Sequence, residues 1–265
     1  MAKSWYETGY DGAEKEQERR ALGYPPDRFW LKAASKKEIV FIGDDPFCIN
    51  EHAWCDSEGN WHHGTCGAKI FDNGCGGCGQ PGVTRPDYIG HYTIVDITGY
   101  TTKKGVENKN RLVLLPAKTK VINKFKFKKE NRGSLLGQLW TIARADENAP
   151  NTGDDLDHVR ELKSMDGLLS VVTYKGKSLK EMIEKANGDG SDAEKTRKYL
   201  AHHFQIPESG PIPMKIPQFN YPVLMAPLEF GPFRAAVADA KPFNSNKGSS
   251  SSGDKSSTAD DEVPF

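Results

Sequence analysis

Three cysteines surround a glycine-rich turn in the stretch CGAKIFDNGCGGC, at residues 66–78. Cys75 and Cys78 form a Cys-x-x-Cys pair, the spacing of a tight metal-binding knuckle, and Cys66 adds a third thiol. A structural zinc site needs a fourth ligand. We predict His52, because it ends a predicted strand that would hold it rigidly. The other candidates are Cys55, which is the second choice, His62 and His63.

A redox role for these thiols is the competing interpretation. Redox Cys-x-x-Cys pairs begin a helix in a thioredoxin-like β-α-β unit, whereas here Gly-Gln-Pro-Gly follows at residues 79–82 and starts no helix. The five cysteines are an odd number and are confined to residues 48–78, which argues against a disulfide framework. The spacing therefore favours a metal, and we interpret Cys48 as an inert thiol.

No pattern in the sequence indicates catalysis. A catalytic zinc keeps an open coordination position beside a general base, and the chain contains neither His-Glu-x-x-His nor His-x-Glu. Asp154, Asp155 and Asp157 would suit a metal-dependent nuclease, but they fall in a turn-rich acidic stretch that we interpret as a solvated loop. We therefore predict a structural Zn²⁺ ion and no enzymatic activity.

Charge is segregated along the chain although it sums to zero. Cationic and anionic side chains number 36 each, yet residues 103–132 hold eleven cations against two anions. No apolar run approaches the roughly eighteen residues of a membrane span, and the start of the chain lacks the apolar core of a signal peptide. We expect a cytoplasmic protein with no membrane partner.

Five runs have the composition of strands: KEIVFIG, PFCINEHAW, HYTIVDIT, RLVLLPA and SLLGQLWTIARA. Before the last run, residues 116–133 fit two structures. The alternation of lysine and phenylalanine suits a strand, whereas Pro116 in a first turn and Gly133 at the end suit a helix. We favour the helix, because its end signals and its longer apolar pattern agree.

The remaining chain has three kinds of composition. Residues 178–188 and 193–204 show helical spacing. From Ile206 to Pro232 prolines are too frequent for a helix interior, so extended segments are expected. Residues 244–258 contain seven serines in fifteen residues, the composition of a flexible linker.

The sequence finishes with DDEVPF, in which three acidic residues precede an apolar end and a carboxylate. Such a peptide suits a basic-rimmed hydrophobic pocket on another protein. A plain solubility tail is the alternative, but the order of acids first and apolar residues last favours recognition. The predicted partner-binding residues are Asp260, Asp261, Glu262, Val263, Pro264 and Phe265.

DDEVPF resembles the acidic tip of bacterial single-stranded-DNA-binding proteins, which recruits replication and repair enzymes. DRFWLKAASKKEIVFIGDDPFCINEHAW, with the downstream cysteines, resembles the zinc-containing single-stranded-DNA-binding proteins of tailed phages, of the T4-like type. This resemblance covers residues 27–145 and the last six residues. It implies a mainly β (α+β) protein with an OB-fold core, a five-stranded open barrel, carrying a zinc-knuckle insertion, peripheral helices and a disordered acidic C-terminal tail. The ligand positions that it implies are those of His52, Cys66, Cys75 and Cys78.

The implied function is sequence-independent binding that coats and protects single-stranded DNA during phage replication, recombination and repair, in the host cytoplasm. A polymerase, helicase or primase would be recruited through the tip. The predicted organisation is an N-terminal arm at 1–26, a core at 27–235 with a zinc subdomain at 52–82 and a helical region at 154–204, a Ser-rich linker at 236–258 and the tip at 259–265.

An OB-fold groove contains aromatic side chains, which stack on bases, and cationic side chains, which contact phosphates. We predict stacking by Trp61, Tyr88 and Tyr100, because they fall in predicted loops where a purely structural aromatic is less expected. The predicted phosphate contacts are Lys103, Lys104, Lys109 and Arg111.

The main alternative to a single-stranded-DNA-binding protein is a zinc-ribbon transcription or recombination accessory factor whose metal module contacts a polymerase. A purely structural zinc protein would bind no polynucleotide.

Overall fold

The computed structural model describes residues 22–102, 105–153 and 155–242. These residues divide into two compact units. The first comprises residues 22–48 and 89–224, and the second comprises residues 49–88 and 225–242. The second unit therefore combines an insertion in the middle of the chain with a segment more than a hundred residues downstream.

The described residues form a mixed α+β protein, which confirms the predicted fold class. Its strands are β1 (Ser35–Phe41), β2 (Phe47–Cys55), β3 (Trp61–Thr65), β4 (Asp87–Asp96), β5 (Tyr100–Thr101), β6 (Glu107–Asn108), β7 (Arg111–Lys118), β8 (Gln138–Arg144), β9 (Asp155–Glu161), β10 (Thr173–Tyr174) and β11 (Lys177–Ser178). Its helices are α1 (Thr119–Arg132), α2 (Met165–Leu169), α3 (Leu179–Ala186), α4 (Ser191–His203), α5 (Tyr221–Leu224) and α6 (Phe230–Ala236). Within this part of the chain, no helix is long and apolar enough to cross a membrane.

The main sheet has the strand order β11-β10-β7-β4-β1-β8-β9. Its pairings are antiparallel except for the one between β10 and β7. Strand β1 lies between β4 and β8, and its Ile39 lies opposite Asp96 of β4 and Trp140 of β8. Among the described strands, β11 and β9 end this order and no pairing closes the sheet into a barrel.

Helix α1 packs in the main core and is the predicted helix. Val121 and Phe125 are fully buried among the inward-facing side chains of the sheet, whereas Phe127 is 61 % exposed. Two phenylalanines two residues apart would share one face of a strand, so the strand alternative is wrong. The helix ends at Gly133 as predicted, but it begins at Thr119 and Pro116 lies in β7.

A second layer in the first unit covers the other face of β4. The hydroxyl oxygen of Thr93 lies 2.8 Å from the Tyr221 hydroxyl and accepts a 3.0 Å hydrogen bond from the backbone N–H of Phe219. The rings of Phe204 and Phe219 stack with their centroids 5.4 Å apart. This layer brings the C-terminal part of the first unit onto the sheet.

Two expectations about irregular segments are wrong. Residues 206–232 are not wholly extended, because α5 and the start of α6 fall within them. Pro222 and Pro232 lie in the first turns of these helices, where a backbone N–H has no intrahelical partner to lose. The acidic stretch predicted as a loop, residues 145–158, includes the first four residues of β9, in which Leu156 is buried between exposed Asp155 and Asp157.

Candidate metal centre

The β2–β3 hairpin of the second unit carries the predicted histidine ligand. His52 lies opposite Gly64 in the antiparallel register and is fully buried. Immediately after β3, the backbone N–H of Cys66 donates a 2.8 Å hydrogen bond to the carbonyl of Asn50, which returns this cysteine to the strand that carries His52. A turn with a 3.2 Å hydrogen bond from Cys78 N–H to Cys75 O then brings the last two thiols together.

The ligand atoms of His52, Cys66, Cys75 and Cys78 all lie within 4.8 Å of one another. The sulfurs of Cys66 and Cys78 are 3.7 Å apart, and the His52 Nε2 atom lies 3.6 Å from the Cys75 sulfur and 3.4 Å from that of Cys78. A zinc tetrahedron with bonds of about 2.3 Å to sulfur and about 2.0 Å to nitrogen has edges of about 3.8 Å between sulfurs and about 3.5 Å between sulfur and nitrogen. These three spacings fit the edges of that tetrahedron.

The orientation of the imidazole is set from its other side. His52 Nδ1 donates a 2.7 Å hydrogen bond to the carbonyl oxygen of Thr84, and the Thr84 hydroxyl accepts a 2.8 Å bond from Ala53 N–H. Donation from Nδ1 leaves the Nε2 lone pair directed toward the sulfurs. Metal-ligating histidines are fixed in this way by a second hydrogen bond.

The thiols differ in acidity because their surroundings differ. Burial acts to raise the pKa of Cys75, but hydrogen bonds from the backbone N–H groups of Gly77, Gly67 and Cys78 outweigh it and the pKa is lowered. Desolvation, followed by the neighbouring sulfurs of Cys66 and Cys75, raises the pKa of Cys78 to about 12. A bound metal cation would offset the repulsion that opposes ionisation of Cys78 beside the other two sulfurs.

The alternative fourth ligands lie outside the cluster. Cys55 pairs with Trp61 at the end of the hairpin. His62 Nε2 lies 2.7 Å from a carboxylate oxygen of Asp56 and, as the largest cause, lowers the pKa of that carboxyl. His63 Nδ1 lies 3.1 Å from Glu51. In the described part of the chain, the cluster with His52 is the one group of three or more such side chains close enough to hold a metal.

The predicted DNA contacts fall in both units. Trp61 and Tyr88 belong to the second unit and are 45 % and 50 % exposed, but Trp61 begins β3 and Tyr88 lies in β4, so the expectation that they fall in loops is wrong. Tyr100 and Lys109 belong to the first, where Lys109 pairs with Glu107 at 2.7 Å. Lys103, Lys104 and the tip residues Asp260, Asp261, Glu262, Val263, Pro264 and Phe265 lie outside the described residues.

Arg111 is engaged by carboxylates of its own unit. Its guanidinium lies 3.4 Å from Asp96 and 3.6 Å from Asp27, and it sits over the Tyr100 ring at 4.4 Å from the centroid. Asp96 is fully buried and also accepts a 3.0 Å bond from Lys37. Arg111 and Tyr100 therefore form one packed arrangement around a buried carboxylate.

Sequence reasoning missed the C-terminal segment of the second unit. Residues 236–242 were predicted as linker, but Val237 is buried, and Lys241 N–H donates a 2.8 Å bond to Cys55 O. Phe233, also buried, lies in the same hydrophobic cluster as Cys66 and Cys75. The available signal was the apolar pair Phe233 and Val237, one helical turn apart.

Comparisons of the chain with protein-family models, curated proteins and solved structures found no match.

Proposed function

We propose that the chain binds single-stranded DNA without sequence preference and that a structural zinc ion stabilises its second unit. Three cysteines and one histidine form a typical closed structural zinc site, with four protein ligands and no open position. When bound, the ion would supply folding energy to a glycine-rich loop that has few apolar side chains of its own. We infer that His52, Cys66, Cys75 and Cys78 hold it.

The OB-fold part of the proposal is supported chiefly by strand order. With β2 and β3 set aside, because most of their residues belong to the second unit, the five longest strands of the sheet run β7-β4-β1-β8-β9 in space, and α1 connects β7 to β8. Numbered along the chain, this order is 3-2-1-4-5 with a helix after the third strand, as the proposed OB-fold requires. Val121 and Phe125 of that helix pack among the inward side chains of these strands. This order is the observation that carries the proposal.

The position of the metal-binding segment also supports nucleic-acid binding. Residues 49–88 span the connection between β1 and β4, the first and second of these five strands, and end with the first two residues of β4. In OB-folds that connection is one of the loops through which oligonucleotides bind. The segment carries exposed Trp61 and Tyr88, which we propose as stacking residues. Stacking contributes about 1–3 kcal/mol per base and accepts every base, so little sequence preference is expected.

Phosphate contacts are proposed for Lys103, Lys104 and Lys109. They lie in or beside the connection between β4 and β7, and Lys109 is half-exposed beside Glu107. Arg111 contributes to the same region through its packing on Tyr100. The acidic tip, residues 259–265, is proposed to recruit replication or recombination proteins, because its charge and its terminal phenylalanine suit a basic-rimmed apolar pocket.

Titration of the full chain with poly(dT) at several salt concentrations tests the function. We expect quenching of tryptophan fluorescence, and an affinity that falls linearly with salt on logarithmic axes, because phosphate contacts release counterions. Poly(dT) and poly(dA) should bind with similar affinity. A chain that binds neither polymer at the lowest salt would contradict the proposal and would leave the metal centre to be tested by zinc content alone.

A further inference from the structure

Helix α6 lies directly on the metal-ligand cluster of the second unit. Phe233 is fully buried, and its ring meets the His52 imidazole edge-on, with centroids 5.6 Å apart and planes at 74°. The same ring lies 5.6 Å from that of Trp54. One aromatic side chain from the far end of the chain thus contacts a predicted metal ligand and the strand that carries it.

The two glycines of Cys-Gly-Gly-Cys are explained by this helix. Neither has the positive φ that would favour glycine for conformational reasons. A Cβ on Gly76 would lie 2.1 Å from the carbonyl oxygen of Phe230 and 2.7 Å from the backbone nitrogen of Arg234. A Cβ on Gly77 would lie 2.9 Å from the Phe233 ring. The knuckle therefore lacks side chains at the two places where the helix approaches it.

A second attachment follows α6. The backbone N–H of Lys241 donates a 2.8 Å hydrogen bond to Cys55 O at the end of β2. Gly82 lies against the Lys241 carbonyl, which a Cβ at that position would approach to 2.3 Å. Residues 230–241 are thus held at the knuckle by Phe233 and at the hairpin end by Lys241.

We propose that α6 is a lid on the His52 side of the metal centre, whose Cys78 ligand stays exposed, and that Phe233 is a positioning residue for His52. The inference rests on the proposed zinc site. The Thr84 carbonyl fixes the imidazole at Nδ1, and Phe233 packs against its ring, so the two contacts restrict its orientation. The apolar shell around a metal site also controls the access of water and competing ligands, and loss of outer-shell partners costs about 10- to 100-fold in metal affinity.

The coupling acts in both directions. If docking of α6 raises metal affinity by some factor, metal binding strengthens the docking of α6 by the same factor. Loss of metal would free residues 230–241 from the knuckle.

The first test measures how fast a chromogenic chelator in excess removes zinc from the full-length protein. We expect F233A to lose zinc at least about tenfold faster than the wild type, and F233L, which keeps apolar bulk, to lose it at an intermediate rate. L200A is the matched control, because Leu200 is equally buried in α4 of the first unit. It should lose zinc at the wild-type rate. Equal rates for F233A and the wild type would overturn the inference.

The second test needs no substitution, so it tests the coupling between α6 and the metal even if F233A does not fold. Hydrogen exchange of the wild-type chain is compared with and without zinc. We expect the amides of residues 233–241 to lose protection when zinc is removed, while those of β1 and β8 keep it. Unchanged protection of residues 233–241 after complete removal of zinc would overturn the proposal that α6 is a lid. A purified chain that retains no zinc at all would instead contradict the metal centre.

Discussion

The Nδ1 atom of His52 donates a 2.7 Å hydrogen bond to the backbone carbonyl of Thr84, while Nε2 lies 3.4 Å from the Cys78 sulfur. The bond on one side of the ring determines which nitrogen is available on the other. Because the acceptor is a backbone atom, this orientation does not depend on the identity of the Thr84 side chain. It makes His52, and none of its sequence alternatives, the fourth member of the cluster.

Ligand identity is tested by substitution with cobalt, whose visible absorption reports tetrahedral thiolate coordination. H52A and C66S should lose about 10- to 100-fold or more in metal affinity, since each removes one of four ligands. C55S, H62N and H63N are the matched controls and should bind one equivalent with unchanged absorption. A C55S variant that loses cobalt while H52A retains it would show that the fourth ligand was assigned wrongly.

Metal binding should release protons. The pKa of Cys78 is raised to about 12, so its thiol is protonated near neutral pH and must give up that proton to bind a metal. Affinity should therefore fall as the pH is lowered. Calorimetric zinc titrations in buffers of different ionisation enthalpy count the protons, and release of fewer than one would contradict the expected thiol state.

The metal cluster was predictable from sequence because the knuckle is local: two of its ligands are three residues apart, and Cys66 is only nine residues before Cys75. The five predicted strands, which are β1, β2, β4, β7 and β8, and α1 were predictable because alternation and end signals are also local. The contact of Phe233 with His52 joins residues 181 positions apart, and no local pattern encodes it. The same holds for Arg111, whose lysine-rich neighbourhood predicts a phosphate contact although Asp27 and Asp96 hold its guanidinium.

Removing the carboxylate beneath Arg111 should destabilise the first unit. Asp96 is fully buried between Lys37 and Arg111, so D96N leaves two cations without their shared anion, at a cost of about 3 kcal/mol in unfolding free energy. E107Q removes the exposed partner of Lys109 and should change stability by less than about 1 kcal/mol. Urea unfolding of both variants measures the difference, and equal midpoints would contradict a structural role for Asp96.

Acid should destabilise the first unit through His203. Burial, followed by the charges of His202 and Lys175, lowers its pKa from 6.5 to about 4, although its hydrogen bond to the Leu22 carbonyl acts in the other direction. Its ring also accepts a 2.9 Å bond from the Tyr174 hydroxyl. A group whose pKa is lower in the folded state than in the unfolded state binds more protons when the chain unfolds. The stability that neutral His203 contributes is therefore fully present above pH 6.5 and is lost as the pH falls toward 4.

The expected loss across that interval is about 3 kcal/mol. Urea unfolding at the two ends of the interval measures it for the wild type. In H203Q the pH dependence should be smaller, whatever the variant's absolute stability. A wild type and an H203Q variant with the same pH dependence would show that His203 is not responsible.

Trp61 provides the sharpest test of nucleic-acid stacking, because the chain offers a matched control. Trp61 and Trp30 are 45 % and 41 % exposed, but only Trp61 lies in the inserted segment proposed to contact bases. W61A should weaken poly(dT) binding by about 1–3 kcal/mol, and it should leave the salt dependence unchanged because no phosphate contact is lost. W30A should bind as the wild type does. If W30A loses affinity while W61A keeps it, the bases stack elsewhere, on the first unit.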